Sequence, residues 1–161
     1  MAEQRGYRPQ QGSGGPRGQG NYGGGRAHEE REPTYNPSGI GLAKPISPEL
    51  FNGKAKEAAR AVAGADKNQN KSTQLRRFYD ELVLWETRVS QQPGKFEEFL
   101  PFILMINAKA AYAEGRKLVD RNFVNLIHHT LSEVKDAETL TICKLFWEAF
   151  MGFYKQERGD N

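Results

Sequence analysis

Four cations crowd one expected helix end. Lys109, Arg116, Lys117 and Arg121 lie within NAKAAYAEGRKLVDR, residues 107–121. Ala108, Ala110, Ala111 and Ala113 favour helix and add no bulk. Gly115 is the expected stop, in the left-handed conformation that glycine adopts at little cost. Lys109, Ala113 and Arg116 follow helical spacing, so Lys109 and Arg116 can share a face with Tyr112 beside them. Small alanines with long cations suit a polyanion lying across a helix end. Cations also complement the negative pole of a helix dipole with no ligand at all. The pattern alone leaves both readings open.

A second cationic group, Lys71, Arg76 and Arg77, marks the expected start of another helix, with Ser72 or Thr73 as its N-cap. Cations there oppose the dipole at about 0.3–1 kcal/mol each when exposed. Local rules are broken most often at functional sites. The alternative is a solvated face on which Asp80 and Glu81 pair with the arginines at helical spacing.

Catalytic chemistry finds little support. His128 and His129 are adjacent and would point about 100° apart on a helix. His129 and Glu133 are spaced for two metal ligands, but no third is evident. A histidine packed at the edge of an apolar stripe is the simpler reading. Cys143 sits on an apolar helix as a small core residue, with no basic partner nearby in sequence. No Walker, Rossmann, EF-hand or zinc spacing is present. The expectation is a protein without catalysis, metal or cofactor.

The elements that would position the cations read as helices. Residues 1–45 hold eleven of the seventeen glycines and almost no aliphatic side chains before Ile40. Such a segment cannot bury enough apolar surface to offset its ordering entropy, so a disordered Gly/Arg/Gln-rich tail is expected. Arg5, Arg8, Arg17 and Arg26, with Tyr7 and Tyr22, could stack on unpaired bases. Glu29, Glu30 and Glu32 counter them, and a solubilising tail is the plainer reading.

Residues 46–158 form the expected bundle domain. Ser47 and Pro48 open a short, alanine-rich first helix ending near Gly64, expected to be the most loosely held. Asp66 to Asn70 reads as a polar linker. Leu75, Phe78, Tyr79, Leu82, Trp85 and Val89 make the second helix's stripe, ended by Pro93 and Gly94. The third runs from about Phe96 towards Gly115, with Pro101 in its first turn or at a kink. The fourth starts at Asp120 as N-cap. The fifth, about Glu138 to Lys155, is apolar around most of its surface and should be central. Nothing alternates with period two. The fold class is therefore all-α, a compact bundle of about five helices.

The chain has 161 residues, a net charge of +3 and one cysteine, so no internal disulfide forms and a reducing compartment is expected. The apolar run Phe99–Ile106 is far shorter than the roughly 20 residues that span a bilayer. The polar N-terminus lacks a signal peptide's apolar core. A cytoplasmic protein with no membrane association is expected. From Lys71 to Arg158 the charges are 13 cations against 12 anions, so any attraction for nucleic acid must be local.

LRRFYDEL (75–82) with its basic lead-in, AYAEGR (111–116) and FWEAFMGFYK (146–155) resemble the small subunit of type III-A CRISPR (Csm) effector complexes. The resemblance covers about Asn70 to Lys155 and leaves the tail out. It implies a non-catalytic helical subunit, several copies of which stack inside a ribonucleoprotein. There they line the groove holding guide RNA paired with target RNA, in antiviral defence. The implied RNA-facing residues are Lys71, Arg76, Arg77, Lys109, Tyr112 and Arg116; Lys117 and Arg121 extend the set by proximity. Implied partners are guide and target RNA, other effector subunits and copies of the chain itself. Backbone contacts suffice, because base pairing chooses the target. Three other functions compete: the small subunit of a type III-B complex, a stand-alone RNA-binding adaptor using the Arg/Gly-rich tail, and a metal enzyme built on His129 and Glu133.

Overall fold

A computed structural model describes residues 34–159. Its five α-helices are α1 (Ala55–Ala63), α2 (Ser72–Gln91), α3 (Phe96–Gly115), α4 (Arg121–Ser132) and α5 (Ala137–Arg158). The described residues contain no strand. A π-helical turn, Leu50–Lys54, leads into α1, and a 3-10 turn, Pro93–Lys95, joins α2 to α3. The expected tail at residues 1–33 lies outside the described residues.

Helix α5 is the central element, as its all-round apolar pattern requires. Leu140, Cys143, Phe146, Phe150 and Tyr154 are fully buried along it. Trp147 meets Phe123 of α4 edge-on at 5.8 Å between ring centres, and Phe150 edge-on at 4.8 Å. Such edge-to-face pairs add about 0.5–1.5 kcal/mol beyond the area they bury. The Trp147 Nε1–H donates to Thr130 Oγ1 at 3.1 Å, so the indole's polar atom is satisfied inside the core. The helix starts at a capping box: Asp136 accepts from the Thr139 N–H at 2.7 Å, and Thr139 Oγ1 accepts from the Asp136 N–H at 3.0 Å. These hydrogen bonds hold the Asp136 carboxyl below its usual range.

Helix α1 is not loosely held, contrary to expectation. Ala55, Ala58, Ala59 and Val62 are fully buried, and α1 packs along α5. The alanines that made its stripe look weak let the two backbones come close, and that proximity replaces side-chain bulk. An Arg60–Glu157 ion pair at 3.0 Å ties the same two helices. The start of α1 also differs. Ser47 Oγ accepts from the Glu49 N–H at 3.2 Å, while the helical cap is the Glu49 carboxylate, which accepts from the Gly53 N–H at 3.0 Å.

Residues 34–45, assigned by composition to the tail, form a strap on α4. Ile40 and Leu42 are buried. Asn122 Oδ1 accepts from the Tyr35 N–H at 3.3 Å, and its amide donates to Thr34 Oγ1 at 3.1 Å. His129 Nε2–H donates to the Ile40 carbonyl at 2.7 Å. Two aliphatic side chains and three side-chain hydrogen bonds fasten the strap, too few to show in an apolar pattern.

A candidate nucleic-acid interface at the α2–α3 edge

The candidate cations are positioned by a buried knot at Asn70. Its backbone is left-handed, φ 53°, and it is fully buried. Asparagine tolerates this conformation better than most residues. The Asn70 N–H donates to the Leu118 carbonyl at 2.9 Å. Its amide donates to Val62 O at 3.0 Å and Asp120 Oδ1 at 2.8 Å, and Oδ1 accepts from the Asp120 N–H at 2.9 Å. The Tyr154 hydroxyl donates to the Asn70 carbonyl. One residue, through its side chain and backbone, thus joins the end of α1, the start of α2, the α3–α4 loop and α5. The expected polar linker thus ends in a buried residue bonded to three other segments of the chain.

That knot brings the first turn of α2 against the end of α3. Lys71 follows Asn70 and Lys117 precedes Leu118, so the Asn70–Leu118 backbone bond joins the two segments that carry these lysines. Lys117, not Gly115, takes the left-handed conformation, with φ 60°. Gly115 remains helical, and Arg116 follows as C-cap. The Lys117 N–H donates to Glu114 O at 2.8 Å and the Leu118 N–H to Ala113 O at 2.9 Å. This is the Schellman pairing, which puts its left-handed residue two positions beyond the last helical one.

Further along, the Lys109 ammonium meets the Glu81 carboxylate at 2.6 Å, across from α3 to α2. Arg77 lies four residues before Glu81 on α2; Tyr112 and Arg116 lie three and seven residues after Lys109 on α3. Helical spacing therefore puts Arg77, Lys109, Tyr112 and Arg116 along one edge. Lys71, Arg77 and Arg116 are exposed, and none has an ion-pair partner among the described residues. The Arg116 guanidinium lies 5.7 Å from the centre of the Tyr112 ring, which is 66% exposed.

Two expected members lie elsewhere. Arg76 points about 100° from Arg77 around α2. Its Nε meets Asp80 Oδ1 at 2.8 Å, and its neighbour Tyr79 feels Glu148 and Lys144 of α5. Arg76 therefore flanks the α2–α5 side and is partly neutralised. Helical spacing thus puts Arg77, not Arg76, on the Lys109–Glu81 side of α2. Arg121 is paired with Glu114 at 3.0 Å, where it joins α4 to α3. The expected serine or threonine cap of α2 is also absent: Lys71 holds the N-cap position without a side-chain bond, and Ser72 Oγ is buried with no hydrogen-bond partner. The first N–H groups of α2 are thus uncapped by any side chain, next to Lys71, an arrangement that suits an anion.

The metal alternative loses its geometry. His129 is committed to the strap carbonyl, and no group of three His, Cys, Asp or Glu residues among those described could hold an ion. Burial pushes the Cys143 thiol up to about 12, in keeping with a core residue. No helix among the described residues is long and apolar enough to cross a membrane.

The described residues thus form an all-helical bundle with a candidate cationic edge and an enclosed aromatic helix. The family model described as Csm2 Type III-A matches residues 47–160, most of the chain, and the protein belongs to that family. It is thereby a CRISPR-associated small subunit of a type III-A effector complex, a family of non-catalytic subunits that assemble with other effector proteins. Comparison with curated proteins and with solved structures gave no match.

Proposed function

We propose that the protein lines the groove in which a cytoplasmic type III-A effector holds guide RNA paired with target RNA. Lys71, Arg77, Lys109, Arg116 and Lys117 grip the sugar–phosphate backbone without reading its sequence, and several copies repeat the contact along the duplex. Cleavage and signalling belong to other subunits. The observation that carries this reading is the ion pair between Lys109 and Glu81, because it sets the Arg77 face of α2 beside the Arg116 face of α3. Three exposed cations with no carboxylate partner remain there for phosphates.

Guanidinium and ammonium groups bind phosphate strongly and sequence-independently. Sequence selection stays with the guide. A bundle nearly balanced in charge binds weakly as a single copy and gains affinity through repetition. The test is retention of target RNA by the assembled complex. Arg116→Ala is expected to weaken retention with helicity unchanged, whereas removal of residues 1–33 leaves most of it. Near-complete loss on that truncation, with Arg116→Ala at the wild-type level, would favour a tail-based RNA adaptor instead.

A further inference from the structure

The segment that leads into α2, residues 66–70, reads DKNQN and has no apolar side chain to anchor it. Hydrogen bonds must hold it, and the last part of α5 supplies several. Arg158 Nη2 donates to the Asp66 carbonyl at 2.9 Å and to the Gln69 carbonyl at 2.8 Å. Tyr154, one turn earlier on α5, donates to the next carbonyl, that of Asn70. Asp66 and Gln69 already form a turn of their own, with the Gln69 N–H donating to the Asp66 carbonyl at 2.8 Å. Arg158, half-buried, thus closes that turn from outside it.

These contacts orient the backbone beyond the turn. The peptide bonds here are trans and planar, so each C=O and the N–H that follows it point opposite ways. With the Gln69 carbonyl turned to Arg158, the Asn70 N–H faces the other side, where it meets the Leu118 carbonyl at 2.9 Å. With the Asn70 carbonyl turned to Tyr154, the Lys71 N–H faces away from α5. We infer that Arg158 is a positioning residue: it fixes the turn before α2 so that Lys71 is presented at the cationic edge, and does not grip phosphate itself. The inference rests on the proposed function for the ligand, RNA backbone, and adds a residue that acts through Lys71. A cation in the last turn of α5 also suits the helix dipole, but that role needs no contact with residues 66–69.

Two readouts test it, one without RNA. In the full chain, Arg158→Ala is expected to speed hydrogen exchange at the Asn70 and Gln74 amides about tenfold more than at Ile106 and Ala110 of α3, which report overall stability. In the assembled complex, Lys71→Ala and Arg158→Ala are each expected to lower target-RNA retention about tenfold. Arg158→Ala should then add less than about twofold in the Lys71→Ala background, because it acts through that lysine. Arg158→Lys, which keeps donors for the two carbonyls, is expected to recover most of both losses. Exchange at Asn70 no faster than at Ile106 overturns the inference. So does a double variant whose losses multiply, since Arg158 would then act on RNA by its own charge or through the whole fold. Lys71→Ala at the wild-type level, with the fast exchange present in Arg158→Ala, would bear out the positioning and remove Lys71 from the proposed function.

Discussion

The side of the bundle where α1 meets α5 and the edge formed by α2 and α3 follow opposite rules. At the first, alanines and aromatics are fully buried, and the Asn70 amide and the Trp147 indole N–H find partners inside. At the second, Phe102, Met105 and Tyr112 are exposed, and Lys71, Arg77 and Arg116 have no carboxylate partner among the described residues. Stability is concentrated where nothing external can bind. The other edge contributes little to folding and keeps its side chains for partners. Consistency between local preference and global packing is thus relaxed at the second region, the expected mark of a working surface.

The comparison can be broken most forcefully in the core. Phe150→Ala is expected to cost about 3–5 kcal/mol, measured by denaturant unfolding, because a fully buried ring leaves a cavity. Asn70→Ala should follow at roughly 2–4 kcal/mol, since Val62 O and the Asp120 N–H lose their partners in a buried place. A loss no larger than that of an exposed residue would show that the knot is ornamental to the fold. Asp136→Ala should cost about 1 kcal/mol through its cap. Because the folded Asp136 carboxyl is held low, its contribution is present above the ordinary carboxylate range and fades as pH falls through the folded value. The wild-type advantage over Asp136→Ala should therefore shrink on acidification; an advantage that grows would contradict the cap. At the exposed edge, Arg77→Ala is expected to change stability by less than about 0.5 kcal/mol. Lys117→Gly should stabilise by about 0.5–1 kcal/mol, as glycine relieves the left-handed backbone.

The well-patterned side of this comparison was the legible one. Stripes on α2, α4 and α5, with Asp120 as a cap bonded to the Phe123 N–H, put the helices within a few residues of their bounds. What escaped depended on single residues. The strap rests on Ile40, Leu42 and the side chains of Asn122 and His129, inside a stretch that composition assigns to the tail. Asn70 gains its role from three other segments of the chain, α1, the α3–α4 loop and α5, none adjacent to it in sequence. The strength of α1 came from close backbone approach, which a hydrophobicity stripe undervalues. At the candidate interface the residue types were readable, but the choice between Arg76 and Arg77 needed the rotation of α2, fixed by Glu81 and Lys109. Gly115 was a sound stop signal for α3; the left-handed turn fell two residues later, because the Schellman pairing uses the position after the cap.

Salt dependence of target-RNA retention by the assembled type III-A complex tests the central claim most directly. Each lost phosphate contact lowers the slope of log affinity against log salt by about 1. The account predicts that Arg77→Ala/Arg116→Ala flattens that slope and weakens retention, while Arg76→Ala, already engaged with Asp80, changes both far less. Equal slopes for wild type and the double variant, or a larger effect from Arg76→Ala, would contradict it.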